Sequence, residues 1–260
     1  MTMDADPIAI RLMREHADGT RFTPFAAASG IATLDDAYRV QRAYVHLQRE
    51  ARSAASAGYK IGLTSPAMQA MCGISTPVAG VVLADRVQAS GVVLDRSHYG
   101  RLCIEFEIAV RLGRDLRGDV GIADVEAALA GVAPAIEVVD DRHCDYKTLD
   151  VLSLVADNAW NAGIVLGAWR ASWPDLARVT GAVHVDGAAE PLATGRGADV
   201  LGHPYAPVAW LAGHLAQRGE CLRTGDIVTT GSMITTRFPE APGDWRYDVE
   251  GLGSVALRVT

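Results

Sequence analysis

The segment Arg101-Leu-Cys-Ile-Glu-Phe-Glu-Ile-Ala-Val-Arg-Leu112 constrains this chain more than any other. Ile104, Phe106, Ile108, Val110 and Leu112 alternate strictly, a period of two that a helix cannot gather on one face. The segment therefore reads as a long β-strand with one apolar face turned to a core. The opposite face carries Glu105, Glu107, Ala109 and Arg111. Strand geometry sets the Cα atoms of Glu105 and Glu107 roughly 6.5–7 Å apart on one side. Side chains at that spacing can converge on one cation, and magnesium or manganese prefers such oxygen ligands. A solvated strand face with two ordinary glutamates is the competing reading.

Further short β-rich runs, broken by Gly and Pro, are expected at 78–84, 135–139, 162–166, 227–230 and 254–259. Helical spacing appears in four places. Asp6-Pro7 reads as an N-cap with Pro at the first helical position, leading into 8–16. Thr33-Leu-Asp-Asp36 has the form of a capping box, and the helix behind it is expected to run to about position 55. The other two helices are expected at 122–130, stopped by Gly131, and at 208–218, stopped by Gly219. Strands and helices do not alternate regularly, which argues against a barrel or doubly wound sheet and for an α+β, mostly β core. The predicted organisation is an N-terminal helical segment, 1–57, followed by a β-rich catalytic domain, 58–260.

The charge of -7, with no basic run, makes a nucleic-acid partner a poor fit. An acidic protein that binds an anionic substrate must supply local positive charge, from a metal or from a few placed cations. No apolar run reaches the roughly 20 residues of a membrane span. The acidic, polar stretch 1–7 is no signal peptide. Cys72, Cys103, Cys144 and Cys221 show no Cys-x-x-Cys spacing and read as small core residues of a reduced compartment, so a cytoplasmic location is expected.

Glu137 stands in the apolar run Val132-Ala-Pro-Ala-Ile-Glu-Val-Val139, where an ionised carboxylate is costly unless it is paired or binds metal. An edge strand facing water, or a partner in Arg142, would also accommodate it. Lys60, between apolar neighbours, could bind a substrate carboxylate or carry a proton, or could cap a surface strand. Asp157-Asn158 is a polar island that reads equally as a turn. Gly195-Arg-Gly197 and Gly251-Leu-Gly253 lack the third glycine and the strand-to-helix setting of a dinucleotide loop. Neither a Gly-x-Ser-x-Gly elbow nor a His-Glu-x-x-His pair occurs. His203, in Gly-His-Pro, reads as a loop residue.

Seven segments in collinear order resemble one family: Lys-Ile-Gly-Leu-Thr-Ser (60–65), Ile-Glu-Phe-Glu-Ile-Ala (104–109), Pro-Ala-Ile-Glu-Val-Val-Asp (134–140), Val-Ala-Asp-Asn-Ala (155–159), Val-Leu-Gly-His-Pro (200–204), Leu-Arg-Thr-Gly-Asp-Ile (222–227) and Gly-Leu-Gly-Ser-Val (251–255). The family is that of 2-keto-4-pentenoate hydratase, 2-oxohept-4-ene-1,7-dioate hydratase and 4-oxalocrotonate decarboxylase, within the fumarylacetoacetate hydrolase superfamily. The resemblance spans nearly the whole chain. It implies a β-rich hydrolase-like fold and a divalent ion, Mg2+ or Mn2+, held by Glu105, Glu107 and Glu137. It also implies Lys60 and Asp85 as catalytic groups, with Leu63, Thr64, Ser65, Asp157, Trp160 and Ser232 contacting a 2-oxo or 2-hydroxydienoic acid. A homo-oligomer, a role in meta-cleavage catabolism of aromatic compounds and a possible complex with a pathway enzyme follow from the same resemblance.

Within the family, hydratases carry Pro-Asp, an aromatic residue and Gly where this chain has Pro77-Val-Ala-Gly80, which tilts toward decarboxylation. The segment Asn158-Ala-Trp-Asn-Ala-Gly-Ile-Val-Leu166 is closer to the hydratases, and hydration is the first expectation. Acylpyruvate-type hydrolysis would want a His–Glu pair on a mobile N-terminal helix; Glu15 and His16 are adjacent and fit that poorly. A non-catalytic partner subunit is the remaining alternative, and the intact Lys60 and three glutamates speak against it.

Overall fold

The computed structural model describes residues 5–260. Helix α1 (Ala5–Ala17) includes Asp6, which therefore lies in its first turn rather than at the N-cap; residues 1–4 lie outside the described residues. The capping box forms as expected: Thr33 accepts from the Asp36 amide at 3.1 Å, and Asp36 accepts from the Thr33 amide at 3.1 Å. Helix α2 (Leu34–Arg52) ends three residues short of the expected position, because Ser53 turns left-handed (φ 51°) and its amide closes on Arg49 and Glu50. Tyr38, Val40, Gln41 and Tyr44 bury one face of α2.

Beyond α2 the chain runs through β1 (Ser56–Gly62), α3 (Pro66–Met71), β2 (Val78–Leu83), β3 (Val87–Ala89), β4 (Val92–Leu94) and β5 (Leu102–Leu112). It continues through α4 (Ile122–Ala128), β6 (Leu129–Asp140), α5 (Val151–Ala156), β7 (Asn161–Leu166), β8 (Thr180–Val185) and β9 (Ala193–Arg196). Helix α6 (Tyr205–Ala216) and strands β10 (Ile227–Arg237), β11 (Gly243–Val249) and β12 (Gly253–Val259) complete it. Gly131 does not stop a helix; it lies inside β6, which takes over directly where α4 ends. Helices α3 and α5 carry too few turns to show a period in sequence.

Seven strands form a mixed sheet in the order β2-β1-β10-β5-β6-β7-β3, and five form a second sheet, β4-β12-β11-β8-β9. The architecture is the expected α+β, sheet-dominated one. Strand β5 lies at the middle of the larger sheet and is buried on both faces, so Glu105 and Glu107 do not sit on a solvated face. The main apolar core is continuous from Ile8, Leu12 and Val40 in the N-terminal helices through Ile104 and Phe106 to Tyr247 and Val255 in the smaller sheet. Cys103, Cys144 and Cys221 are buried, Cys72 is half-buried, and all four are free thiols. Among the described residues no helix is long and apolar enough to cross a membrane.

Candidate metal centre and active-site cavity

The pairing of β5 with β6 makes Glu105 and Glu137 direct cross-strand partners. Opposed residues of an antiparallel pair hold their Cβ atoms about 4.5–5.5 Å apart, and Glu107 lies two residues along β5 on the same face. One oxygen from each of the three carboxylates lies within 4.8 Å of the others. The group can hold a divalent cation.

Each carboxylate is fixed from behind. Gly231 donates its amide to Glu107 Oε2 at 2.6 Å, Asn161 donates to Glu137 Oε1 at 3.0 Å, and Thr236 donates to Glu105 Oε1 at 2.6 Å. Lys60 Nζ stands 3.1 Å from Glu137 Oε1. Two oxygens, Glu107 Oε1 and Glu137 Oε2, are buried with no hydrogen-bond partner among the described residues. Orphaned buried carboxylate oxygens are costly, and a dication is the partner that would satisfy both at once. The donor set, all oxygen and net negative, fits Mg2+ or Mn2+.

Electrostatics tell the same story. Burial, then the neighbouring Glu137 and Glu105, push the Glu107 carboxyl well above its ordinary range. Burial pushes Glu137 up to about 7, with Lys60 pulling the other way. For Lys60 burial favours the neutral amine, but the three glutamates outweigh it and hold the ammonium above its usual value. Three carboxylates and one ammonium leave this largely buried group two charges short of neutrality, which is the charge of one divalent ion.

The group opens on a cavity of about 440 Å3. Lys60, Leu63, Thr64, Ser65, Glu105, Trp160 and Ser232 all line it, so the structure brings together most of the residues expected from sequence. Leu63 turns the chain left-handed (φ 56°), and Ser65 caps α3 by accepting from Met68, which leaves its own proton free. Ser232 lines the wall but is internally engaged: it accepts from the Phe106 amide at 3.0 Å and donates to the Ile234 carbonyl at 2.6 Å. Gly231 is obligatory, because its φ is 111° and a Cβ there would stand 2.2 Å from Thr64 Oγ1.

Two expected residues lie elsewhere. Asp85 is exposed beyond β2 and pairs with Arg52 at 3.0 Å, away from the cavity lining. Asp157 is buried, but its oxygens are taken by Arg142 (2.6 Å) and His16 (2.7 Å). Arg142, weighed as a partner for Glu137, is thereby committed to Asp157 and, at 3.4 Å, to Glu15. Glu15 and His16 both reach this buried pair rather than the cavity. What the sequence reading missed is the ring of residues behind the ligands: Asn161, Gly231 and Thr236.

Asn158, Ala159 and Trp160 form three consecutive left-handed residues (φ 51°, 47° and 57°). Such a run is strained for non-glycine residues and persists only where its surroundings impose it. Asn158 imposes it here by bonding both the amide (2.7 Å) and the carbonyl (2.9 Å) of Val81 on the edge of β2. The turn delivers Trp160 to the cavity wall and Asn161 to Glu137.

A sequence family described as "Fumarylacetoacetate (FAA) hydrolase C-terminal" matches residues 36–260. The chain is 40% identical over 231 residues to a 4-oxalocrotonate decarboxylase of Pseudomonas putida, covering 87% of this chain and 85% of that one. It is 35% identical to a 2-keto-4-pentenoate hydratase of Burkholderia vietnamiensis, over 97% and 96% of the two chains. Among solved structures, 4-oxalocrotonate decarboxylase from Pseudomonas putida G7, complexed with magnesium and adipate, superposes with a TM-score of 0.91 at 32% identity, over 98% and 97% of the chains. With its carboxylate triad assembled at the heart of the larger sheet, the chain belongs to the fumarylacetoacetate hydrolase family.

Proposed function

We propose that this protein is a divalent-metal-dependent lyase for a small unsaturated 2-oxo acid, and that its reaction is decarboxylation of a dicarboxylic substrate of the 2-oxo-3-hexenedioate type. The observation that carries the choice is the apolar wall of the cavity. Val78, Val139, Leu149, Leu154 and Trp160 line it, and its charged residues are Lys60, Glu105 and Asp199. Val78 is buried where the family hydratases carry the acid–base aspartate. Asp85, the other expected proton carrier, is outside the cavity and paired with Arg52. Hydration must deliver a proton and a hydroxyl group to the carbon chain, and an aliphatic wall supplies neither.

Decarboxylation asks for less. A carboxylate held against apolar side chains without a partner is destabilised, whereas the neutral CO2 it releases is not. The C5–C6 bond breaks, its electron pair moves through the conjugated system to the C2 oxygen, and protonation yields 2-hydroxypenta-2,4-dienoate with CO2. A bound Mg2+ or Mn2+ would supply Lewis-acid stabilisation of the charge reaching that oxygen. Thr64 and Ser65 offer hydroxyl protons to substrate oxygens, Lys60 keeps a proton on Nζ beside Glu137, and Trp160 closes the wall against water.

The solved decarboxylase that holds magnesium and adipate supports the reading, since adipate is a six-carbon diacid. Hydration of a 2-hydroxydienoate, the first expectation from sequence, stays as the second reading. Asp199, an exposed carboxyl group in the cavity lining, is what favours it. The test is CO2 release from 2-oxo-3-hexenedioate beside ultraviolet loss of 2-hydroxypenta-2,4-dienoate, each with Mg2+ and with EDTA. Magnesium-dependent CO2 release without dienoate consumption supports decarboxylation. Dienoate consumption alone makes the protein a hydratase, and inertness toward both removes these substrates.

A further inference from the structure

A second cavity, of about 550 Å3, lies on the other side of Trp160 and Asn161 and is lined from α1, α2 and the segment between β2 and β5. It differs in kind from the first: its wall is mainly polar and includes Arg52, Arg86, Tyr44 and Tyr99. Arg86 is half-buried and makes no ion pair or side-chain hydrogen bond in the described residues. Burial and the like charge of Arg52 both disfavour its cation, and Asp85, which favours it, is paired with Arg52. The Tyr44 hydroxyl, on a side chain 1% exposed, finds no hydrogen-bond partner among the described residues, and neither does Trp160 Nε1.

The acids of this cavity are already engaged. Asp140 accepts three backbone amides, from Gly100, Arg101 and Arg142, and Asp95 accepts from Ser97. The unspent donors are one guanidinium without an ion pair among the described residues, a second one paired only at the surface, and a buried hydroxyl, with the amides of Gln48 and Gln88 beside them. Arg52 and Arg86 face Asp95 and Asp140 across this wall, and a guanidinium without an ion pair, with neutral donors beside it, suits a singly charged oxyanion. A dianion would also meet the fields of Asp95 and Asp140.

We infer that this second cavity binds a small carboxylate, held by Arg86 with Arg52 and Tyr44, at a site separate from the metal centre. Asn161 lies in its wall and also donates to Glu137, so this cavity backs onto the metal centre. The inference does not depend on which lyase reaction the metal centre performs.

The test uses the full chain with EDTA present, so that the carboxylate triad holds no metal, and titrates pyruvate calorimetrically. The expected result is one saturable site, weakened about tenfold or more in Arg86→Gln and in Tyr44→Phe, as loss of one hydrogen bond to a charged group implies. Both variants should keep their magnesium-dependent turnover. Absence of binding to the metal-free wild type, or equal binding by both variants, overturns the site. Inorganic phosphate binding more tightly than pyruvate overturns the assignment to a carboxylate.

Discussion

Two buried ionic clusters lie near each other in this protein, and only one is finished. In the first, His16 and Arg142 pair with both carboxylate oxygens of Asp157, and Arg142 also meets Glu15. Burial alone would raise the Asp157 carboxyl, but His16 and Arg142 outweigh it and hold it below its ordinary value. In the second, three glutamates face one lysine, two oxygens have no partner, and the Glu107 and Glu137 carboxyls are driven upward. A cluster whose central carboxylate has both oxygens paired fastens one part of the chain to another, here α1 to the turn before β7. A cluster left unbalanced at the end of a cavity is waiting for an ion. The difference separates structure from function without reference to any relative.

Removing Arg142 should have the largest effect. Arg142→Leu leaves Asp157 buried beside His16 alone and should cost about 3–5 kcal/mol, the usual penalty for breaking a buried pair from one side. Urea denaturation measures it, and a loss under 1 kcal/mol would show that the first cluster is not a fastening. Glu107→Gln should behave in the opposite way. Activity should fall roughly 10²–10³-fold, the scale of losing one charge-stabilising group. Metal-free stability should hold or rise, because one of three repelling carboxylates is gone. If that variant is destabilised without metal, the second cluster is balanced after all.

Adding Mg2+ to the metal-free wild type at about 100 times its dissociation constant should stabilise the fold by about 2.7 kcal/mol. The same addition should do nothing for Glu107→Gln; equal shifts in both would place the ion elsewhere. Asn161→Ala, which removes one support of Glu137, should weaken metal affinity about 10–100-fold, read by calorimetry. The smallest effect is the acid response of the first cluster. A carboxyl whose folded value is depressed contributes stability above its unfolded value, near 3.8, and loses it as pH falls through the folded value. Asp157→Asn should flatten that part of the stability curve below about pH 4.

What is legible in the sequence follows the same division between local and distant causes. Local signals held where the deciding atoms are neighbours in the chain. The Thr33–Asp36 capping box needs four residues, and the alternation of β5 needs one strand. Signals failed where a distant segment intervened. For Glu105 and Glu107 a solvated outer face stayed open beside the metal reading, because the strands at 129–140 and 227–237 that flank them are far away in sequence. Asp157 read as a turn or a substrate contact because His16 is 141 residues away. The backing residues Asn161, Gly231 and Thr236 gave no signal, since an amide, a glycine and a hydroxyl acquire meaning only from the carboxylate they meet.

The sequence by itself determined which residue types exist to do chemistry: a strand with two glutamates at period two, a third in an apolar run, and one lysine among apolar neighbours. Those are covalent facts together with backbone periodicity. Only the tertiary structure decided that Glu105 and Glu137 stand opposite each other, that Asp85 is outside the cavity, and that Arg142 serves Asp157. Each of these depends on strand register and helix docking, which are set by burying an apolar core spread over the whole chain rather than by any local stretch of it.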